Sequence, residues 1–393
     1  MHSRRAFLLG LSLPSLSRSS MAAAKLRVTG IDVFVAPVNA RGEWTFVRLK
    51  TNLALTGSGE ASNGFGARGR AQAAIQQVFE LVRDQSPFDI EAYRQRAWAQ
   101  AKSGEMLQRT AFAAIEQALW DLVGKALGVP VYQLFGGKLR DWAPLYANIN
   151  RATEDRSPQG FASNAAKAAA DGFAAIKAAP FDGFPALTAD RAEIRKSADL
   201  GIACVEAIRH ATGVERDLMI DCHSHFDVPL AVETAHQIEA QRLSWYEEPV
   251  APTRTDELFR IRQSIPQRIA AGELLFGMAG FAPLAASGAS DILMPDVKYC
   301  GGLMEVHRIA ALAELHGREI SPHNPSGPVA MAASVHLSAG LPNFRILEYA
   351  WGEVPWRGDL VSPPEIFLRG QIRVPDASGL GIELNEKVAA KHV

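Results

Sequence analysis

The sequence predicts an α/β fold, a (β/α) barrel preceded by a smaller α+β domain, and two observations carry that prediction. From Leu218 to Tyr349 six short apolar runs (LMID, LSWYEE, RIAAGE, DILMPD, REISPH and RILE) close on Asp221, Glu247, Glu273, Asp296, His323 and Glu348, at intervals of 26, 26, 23, 27 and 25 residues. A buried parallel strand with its crossover helix takes about that length, at least ~10–12 residues of it in the crossover. In a barrel all strand ends converge on one face, where active sites sit, so these groups become neighbours in space. The second observation is that strands and then helices come before any alternation, which argues for a separate α+β domain.

Composition agrees. A length of 393 residues accommodates a barrel of about 200–250 residues plus a smaller unit. Apolar residues make up 48%, enough for a large core. With 41 basic against 42 acidic residues there is no electrostatic reason to expect nucleic acid or an anionic membrane. Cys204, Cys222 and Cys300 are too few and scattered for a disulfide framework or thiolate metal site, and read as small core residues.

Residues 1–24 carry Arg4-Arg5, a short apolar run from Ala6 to Leu16 and then Ala22-Ala23-Ala24. This is the pattern of a twin-arginine export signal and predicts a periplasmic protein. If Met21 is the true start, the protein is cytoplasmic instead. The run is too short to span a bilayer, and no other segment suggests membrane insertion of the mature chain.

The α+β domain is expected over 25–140. LRVTGIDVFVAPV and EWTFVRLKTNLALTGSGEAS read as an antiparallel hairpin or meander. Helices follow over 71–83 (Ile75, Val78, Phe79, Val82) and 110–127 (Ile115, Leu119, Leu122, Ala126), the second stopped by Gly128 and Pro130. Loops at 39–43 and 63–69, rich in glycine and arginine, suit a lid over a barrel mouth, where Arg41 or Arg68 could add selectivity. Alternation begins at Trp142 and defines a barrel over 141–361, with PLYANIN as first strand and FAAIK as second, ending on Lys177. GQIRVPDASGLGIEL then reads as a strand and turn, so that 362–393 completes the first domain.

The chemistry follows from the strand ends. Asp221, Glu247 and Glu273 form an all-oxygen set suited to Mg²⁺, with water and substrate completing the shell. Asp296 beside His323 would fix the imidazole tautomer and leave the other ring nitrogen to take a proton. PHNPSGP around His323 is a rigid loop that holds it in place. His223, two residues past Asp221, should share its strand face and enter the pocket opposite His323. Two facing histidines on a metal-bound ligand suggest a base and an acid acting on neighbouring carbons. Lys177 could neutralise a substrate carboxylate and Glu348 hydrogen-bond it. Asn148, Asn150, Asp182, His225, Asn324 and Trp356 are candidates to line the pocket.

Taken together in order, EWTFVRLKT…LTGSGEAS, ALWDLVGKALGVPVYQLFGG, YEEP, AGE, MPD…GG and GLGI resemble the enolase superfamily, mandelate racemase subgroup, from Lys25 to about Leu384. The resemblance implies a TIM-like (β/α)7β barrel, a capping domain built from both chain ends, and Mg²⁺ on Asp221, Glu247 and Glu273. It also implies abstraction of the proton next to a carboxylate. The racemases carry a Lys-x-Lys pair on the second strand; here Lys177 matches the first lysine and Ala179 replaces the second. The Asp221-x-His223 pair and the PHNPSGP loop instead resemble the acid-sugar dehydratases of the galactonate dehydratase type. That pattern implies that His323, supported by Asp296, removes the C2 proton while His223 protonates the departing 3-hydroxyl, leaving a 2-keto-3-deoxy acid. A small sugar acid and further copies of the chain are the expected partners. The alternatives are an epimerase using His323 and His223 as opposed bases, a non-catalytic sugar-acid binding protein, and a Zn²⁺ amidohydrolase using His223-x-His225. The last is disfavoured because two strands precede that pair.

Overall fold

The computed structural model describes residues 25–39, 42–62 and 70–391. The expected export signal (1–24), Arg41 and Arg68 lie outside these described residues. The chain opens with an antiparallel meander of β1 (Val28–Asn39), β2 (Gly42–Thr51) and β3 (Thr56–Glu60), followed by α1 (Arg70–Phe79), α2 (Ile90–Ser103) and α3 (Met106–Leu127). Alternate glycines in TGSGE have a packing reason. A Cβ on Gly59 would fall 1.9 Å from the Ala114 carbonyl oxygen and one on Gly57 2.2 Å from that of Ala118, so only glycine lets α3 lie this close. The helix also satisfies the edge of β3: Asp121 accepts from Ser58 N (2.8 Å), and Gln117 both accepts from Glu60 N and donates to Glu60 O (3.1 Å each).

Helix α2 had no counterpart in the sequence reading. Its buried stripe, Ile90, Tyr93, Arg94, Ala97 and Ala101, contains an arginine and two alanines and so gives weak periodicity. Arg94 is buried because its guanidinium pairs with Glu305 on the barrel (2.9 Å) and lies over Trp98.

After the short α4 (Val131–Leu134), eight parallel strands alternate with seven helices, giving the expected (β/α)7β arrangement. The strands are β4 (Trp142–Asn148), β5 (Ala175–Ala178), β6 (Asp217–Asp221), β7 (Trp245–Glu247), β8 (Ile269–Ala271), β9 (Ile292–Leu293), β10 (Glu319–Ile320) and β11 (Leu347–Ala350). Between them lie α5 (Pro158–Ala170), α6 (Arg191–Thr212), α7 (Val228–Gln237), α8 (Thr255–Ser264), α9 (Gly277–Ser287), α10 (Gly302–Leu315) and α11 (Pro328–Gly340). β4 to β10 pair in order and β11 pairs with β4. Ile320 N to Asn343 O (2.9 Å) and Arg345 N to Ile320 O (2.8 Å) close the remaining seam.

Strand alternation decides what reaches the interior. Tyr146, Ala175, Met219, Trp245, Ala270, Ile292, Met294 and Ile346 pack together in a separate buried cluster. Leu145, Ile176, Leu218, Ile220 and Leu347 belong to the cluster shared with the surrounding helices. Two residues beyond Tyr146, Ala175, Met219, Trp245, Met294 and Ile346 stand Asn148, Lys177, Asp221, Glu247, Asp296 and Glu348. The apolar layer therefore floors a polar mouth.

The cap grips the barrel through two buried carboxylates at helix N-termini. Glu60 accepts from Gly327 N (2.7 Å) and Ala330 N (2.8 Å) at the start of α11. Glu116 accepts from Leu303 N (2.8 Å) and Met304 N (3.0 Å) at the start of α10. Unpaired amides and the helix dipole both favour an anion there.

The tail touches both the barrel and the cap. Within it, β12 (Val361–Ser362), β13 (Phe367–Leu368), β14 (Gln371–Arg373) and β15 (Glu383–Leu384) precede α12 (Glu386–Lys391). β14 pairs antiparallel with β4 and so extends the barrel sheet, because β4 still has an open side there. From Gly379 onward the chain runs along the cap: Leu380 N donates to Asp121 (2.8 Å), Glu383 pairs with Lys125 (2.5 Å), Glu386 pairs with Arg48, and α12 packs against β1. The three cysteines are free and buried. Among the described residues no helix is long and apolar enough to cross a membrane.

Candidate active site

The six expected residues meet at the barrel mouth, though not all at strand ends. Asp221 and Glu247 end their strands, face each other in register and are buried. Glu273 lies two residues past β8, delivered by a turn at Gly272 (φ 115°) where a Cβ would meet the Phe281 ring at 2.7 Å. Asp296 and His323 each lie three residues past a strand, and Glu348 is inside β11.

His223 arrives by a route other than the one expected. β6 stops at Asp221, and His223 (φ 43°) and Ser224 (φ 61°) form a left-handed turn in which Asp221 Oδ1 accepts from His223 N at 2.9 Å. A turn, and not a continuing strand face, brings the ring into the pocket. There Nε2 is 3.1 Å from Asp221 Oδ2 and Nδ1 bonds Asp182. Burial by itself would lower its pKa, but the Asp221 charge and the Asp182 bond outweigh this and hold His223 well above its ordinary value. Burial works against Asp182 too, yet the His223 bond pulls its carboxyl down to about 2.

Facing it, His323 Nδ1 bonds Asp296 Oδ2 (2.8 Å), while Nε2 points at Glu273 Oε2 (3.1 Å) and Glu348 Oε2 (3.9 Å). Desolvation would lower the His323 pKa; the Glu273 and Glu348 charges and the Asp296 bond raise it. Behind Asp296 stands a cation that sequence reasoning missed: the fully buried Lys298 Nζ, 2.7 Å from Asp296 Oδ2 and bonded to Ser326 Oγ of the PHNPSGP loop. Its signal was the position two residues after Asp296, on the same side of the chain.

Lys177 sits inside the acidic group, its Nζ 2.7 Å from Glu247, 3.3 Å from Asp221 and 3.6 Å from Glu348. Its burial would lower its pKa, but those carboxylates raise it well above the ordinary value. Glu348 accepts from Asn148 Nδ2 and from Asn324 N (2.9 Å), which aims the carboxylate into the mouth. Asn148 thus acts on Glu348, and Asn324 is fully buried with its side chain turned to Met331, Ser334 and the Glu348 carbonyl (3.4 Å), so it holds Glu348 from behind through both its amide and its side chain. Asn150 bonds Asp182 (2.9 Å) and Arg156. His225 stacks on Phe184, and Trp356 sets its edge against Trp44 of β2, 5.5 Å between centroids. Glu248, another missed residue, accepts from Gly272 N (2.8 Å) and Glu273 N (3.3 Å) and so braces the Glu273 turn; burial pushes its carboxyl up to about 7. Its signal was the Glu247-Glu248 doublet.

The donor set fits a hard divalent cation. Asp221, His223 and Glu273 each offer an atom within 4.8 Å of the others. Glu273 Oε2 is buried and makes no hydrogen bond, with His323 Nε2 its ion-pair neighbour at 3.1 Å, which leaves it a lone pair for a cation. Glu247 stands beside this group, its oxygens on Lys177 Nζ and on Trp245 Nε1 (2.8 Å). Burial, followed by repulsion from Asp221, raises its pKa well above the ordinary value despite the Lys177 charge. Two carboxylates and one imidazole, with no thiolate, suit a hard or borderline divalent cation better than a soft one.

Comparison with known proteins agrees with this geometry. Residues 33–136 match the family model for the mandelate racemase / muconate lactonizing enzyme N-terminal domain, and residues 160–388 match that for the enolase C-terminal domain-like unit. A D-xylonate dehydratase of Haloferax volcanii is 32% identical over 372 residues, covering 92% of this chain and 88% of that protein. A D-galactonate dehydratase of Pectobacterium atrosepticum is 31% identical over 373 residues, covering 92% and 93%. The crystal structure of a mandelate racemase/muconate lactonizing enzyme from Sulfitobacter sp. superposes with a TM-score of 0.85 at 30% identity, covering 93% and 95%. The chain therefore belongs to the mandelate racemase/muconate lactonizing enzyme family of the enolase superfamily.

Proposed function

We propose that this protein is a Mg²⁺-dependent sugar-acid dehydratase that converts an aldonate or aldarate to a 2-keto-3-deoxy acid. The observation that carries the reading is a pair of carboxylate-supported histidines, His323–Asp296 and His223–Asp182, on either side of the acidic cluster. Relatives named D-xylonate and D-galactonate dehydratase, aligned over most of the chain, support it.

Asp221, Glu247 and Glu273 would hold the ion, with the Glu247 carboxylate leaving Lys177. A bound divalent cation supplies Lewis acidity beside the substrate carboxylate, making the C2 proton easier to remove. Lys177 adds positive charge at the same carboxylate, and Glu348 fixes its orientation by hydrogen bonding. Asp296 holds His323 in the tautomer whose Nε2 is free to take the C2 proton. His223, held as imidazolium between Asp182 and Asp221, gives its proton to the leaving 3-hydroxyl. The C2–H and C3–O bonds break, water departs, and the enol tautomerises to the keto acid.

The test is a screen of C4–C6 sugar acids with Mg²⁺ and a 2-keto-acid assay. Turnover is expected, and His323→Asn should abolish it while the protein still binds metal. The symmetry of the two dyads also favours a second reading, epimerisation at one carbon with opposed bases. Exchange of the C2 hydrogen in D₂O without keto-acid formation would select that reading and reject dehydration.

A further inference from the structure

The loop after the last barrel strand, WGEVPWRG, holds a carboxylate that none of the chemistry above uses. The Glu353 side chain is 1% exposed, and Arg151 Nη1 bonds its Oε1 at 2.8 Å. Its Oε2 is buried with no hydrogen-bond partner among the described residues. A buried carboxylate oxygen left unpaired costs free energy that a native protein rarely spends without a reason.

The position of the pair supplies the reason. Arg151 follows Asn148 by three residues and Glu353 follows Glu348 by five, on the loops after β4 and β11. Those strands are hydrogen-bonded neighbours, and Trp351 N to Asn148 O (3.1 Å) stitches the two loops together. The pair thus bridges the mouth directly beyond Glu348. The carboxylates whose charge acts on Arg151 are Glu353 and Glu348, and the Tyr299 ring lies 6.1 Å from that of His323. On the sugar-acid reading, a substrate with its reacting carbons between the two histidines would extend its remaining carbons toward this pair.

Resting on the sugar-acid reading, we infer that Glu353 receives a distal hydroxyl of the substrate on Oε2, selecting monoacids with a polyol tail over diacids. An ionised carboxylate only accepts hydrogen bonds, so its natural partner is an O–H donor. The Arg151 charge is already matched by Glu353 Oε1, so the pair offers no net positive charge to a second substrate carboxylate. An anion placed against Oε2 would meet like charge in a desolvated setting.

The experiment uses full-length His323→Asn protein with Mg²⁺, in which ligands bind without turnover, and calorimetric titration with D-xylonate, D-galactonate, D-gluconate and the six-carbon diacid galactarate. At least one aldonate should bind more tightly than galactarate. Adding Glu353→Gln should weaken that aldonate by about 10- to 100-fold, the worth of one charge-assisted hydrogen bond, and narrow the gap to the diacid. Arg151→Met should weaken aldonate binding less than Glu353→Gln, since it leaves the accepting oxygens in place. Unchanged aldonate affinity in the Glu353→Gln protein, or a preference for galactarate before that change, overturns the inference and leaves the dehydratase reading standing on its own turnover assay. Binding of none of the four acids overturns both.

Discussion

Replacing Lys298 by methionine removes the cation behind the His323–Asp296 dyad while keeping the aliphatic stem. The Lys298 and Asp296 side chains are 1% and 0% exposed, so the pair sits where breaking an ion pair costs about 3–5 kcal/mol. Asp296 keeps two other donors, Lys298 N (2.7 Å) and His323 Nδ1 (2.8 Å), which argues for the lower end. Loss of the Ser326 partner adds about 1 kcal/mol, giving roughly 3–4 kcal/mol. Burial pushes the Asp296 pKa up but Lys298 and His323 bring it below 3.8; burial pulls that of Lys298 down but Asp296 raises it above 10.5. A depressed acid contributes stability that is present above its unfolded pKa and lost as pH falls through the folded value. A raised base contributes stability that is present below its unfolded pKa and lost as pH rises through the folded value. The loss should therefore be flat between about pH 5 and 9. Urea denaturation of wild type, Lys298→Met, Asp296→Asn and the double variant measures it as a shift in midpoint at constant slope. The double variant should lose less than the sum of the singles by at least about 1.5 kcal/mol. A single-variant loss under about 1 kcal/mol, or simple additivity, refutes the claim that Lys298 and Asp296 act as one buried unit.

Three further outcomes follow from the same kind of reasoning. Burial lowers His336 to about 4, so between pH 6.5 and 4 the unfolded chain binds a proton that the folded chain refuses, and about 3 kcal/mol of stability is lost across that window; a wild-type minus His336→Gln difference that stays constant with pH would contradict this. Gly59→Ala drives a methyl group into the Ala114 carbonyl and should cost about 3 kcal/mol or more, read as a lower melting temperature with the cap separating from its helix first. Mg²⁺ at 100 times its Kd should stabilise the protein by about 2.7 kcal/mol. Asp221→Asn should largely remove that increment in calorimetry, and an equal Mg²⁺ shift in the variant would place the ion elsewhere.

Much of the site was legible because a barrel strand obeys a strict period of two. Once LMID, WYE and RILE are strands in one closed sheet, Asp221, Glu247 and Glu348 must share the interior with Met219, Trp245 and Ile346. The spacing of the repeats set the order of strands around the barrel and so brought the segments bearing Asp296 and His323 side by side, although each residue lies three positions past its strand. What lay beyond the strands followed less directly. His223 and Glu273 reach the mouth through left-handed turns at His223 and Gly272, which no alternation rule describes. Helix α2 was hidden because its inner face uses alanine and a paired arginine.

The sequence by itself determined the α/β class, the repeated strand–helix units of a barrel and the acids and His323 that close those units, because these depend on periodicity that any folded version of the chain must respect; the (β/α)7β form was implied by the family resemblance. Only the tertiary structure decided which buried groups hold the others. Lys298 behind Asp296, Asp182 behind His223, Glu248 beneath the Glu273 turn and Glu60 on the first turn of α11 come from separate strands and loops. Their pairing depends on close packing in three dimensions, where a charge survives burial only beside its partner. No pattern along one chain segment records that.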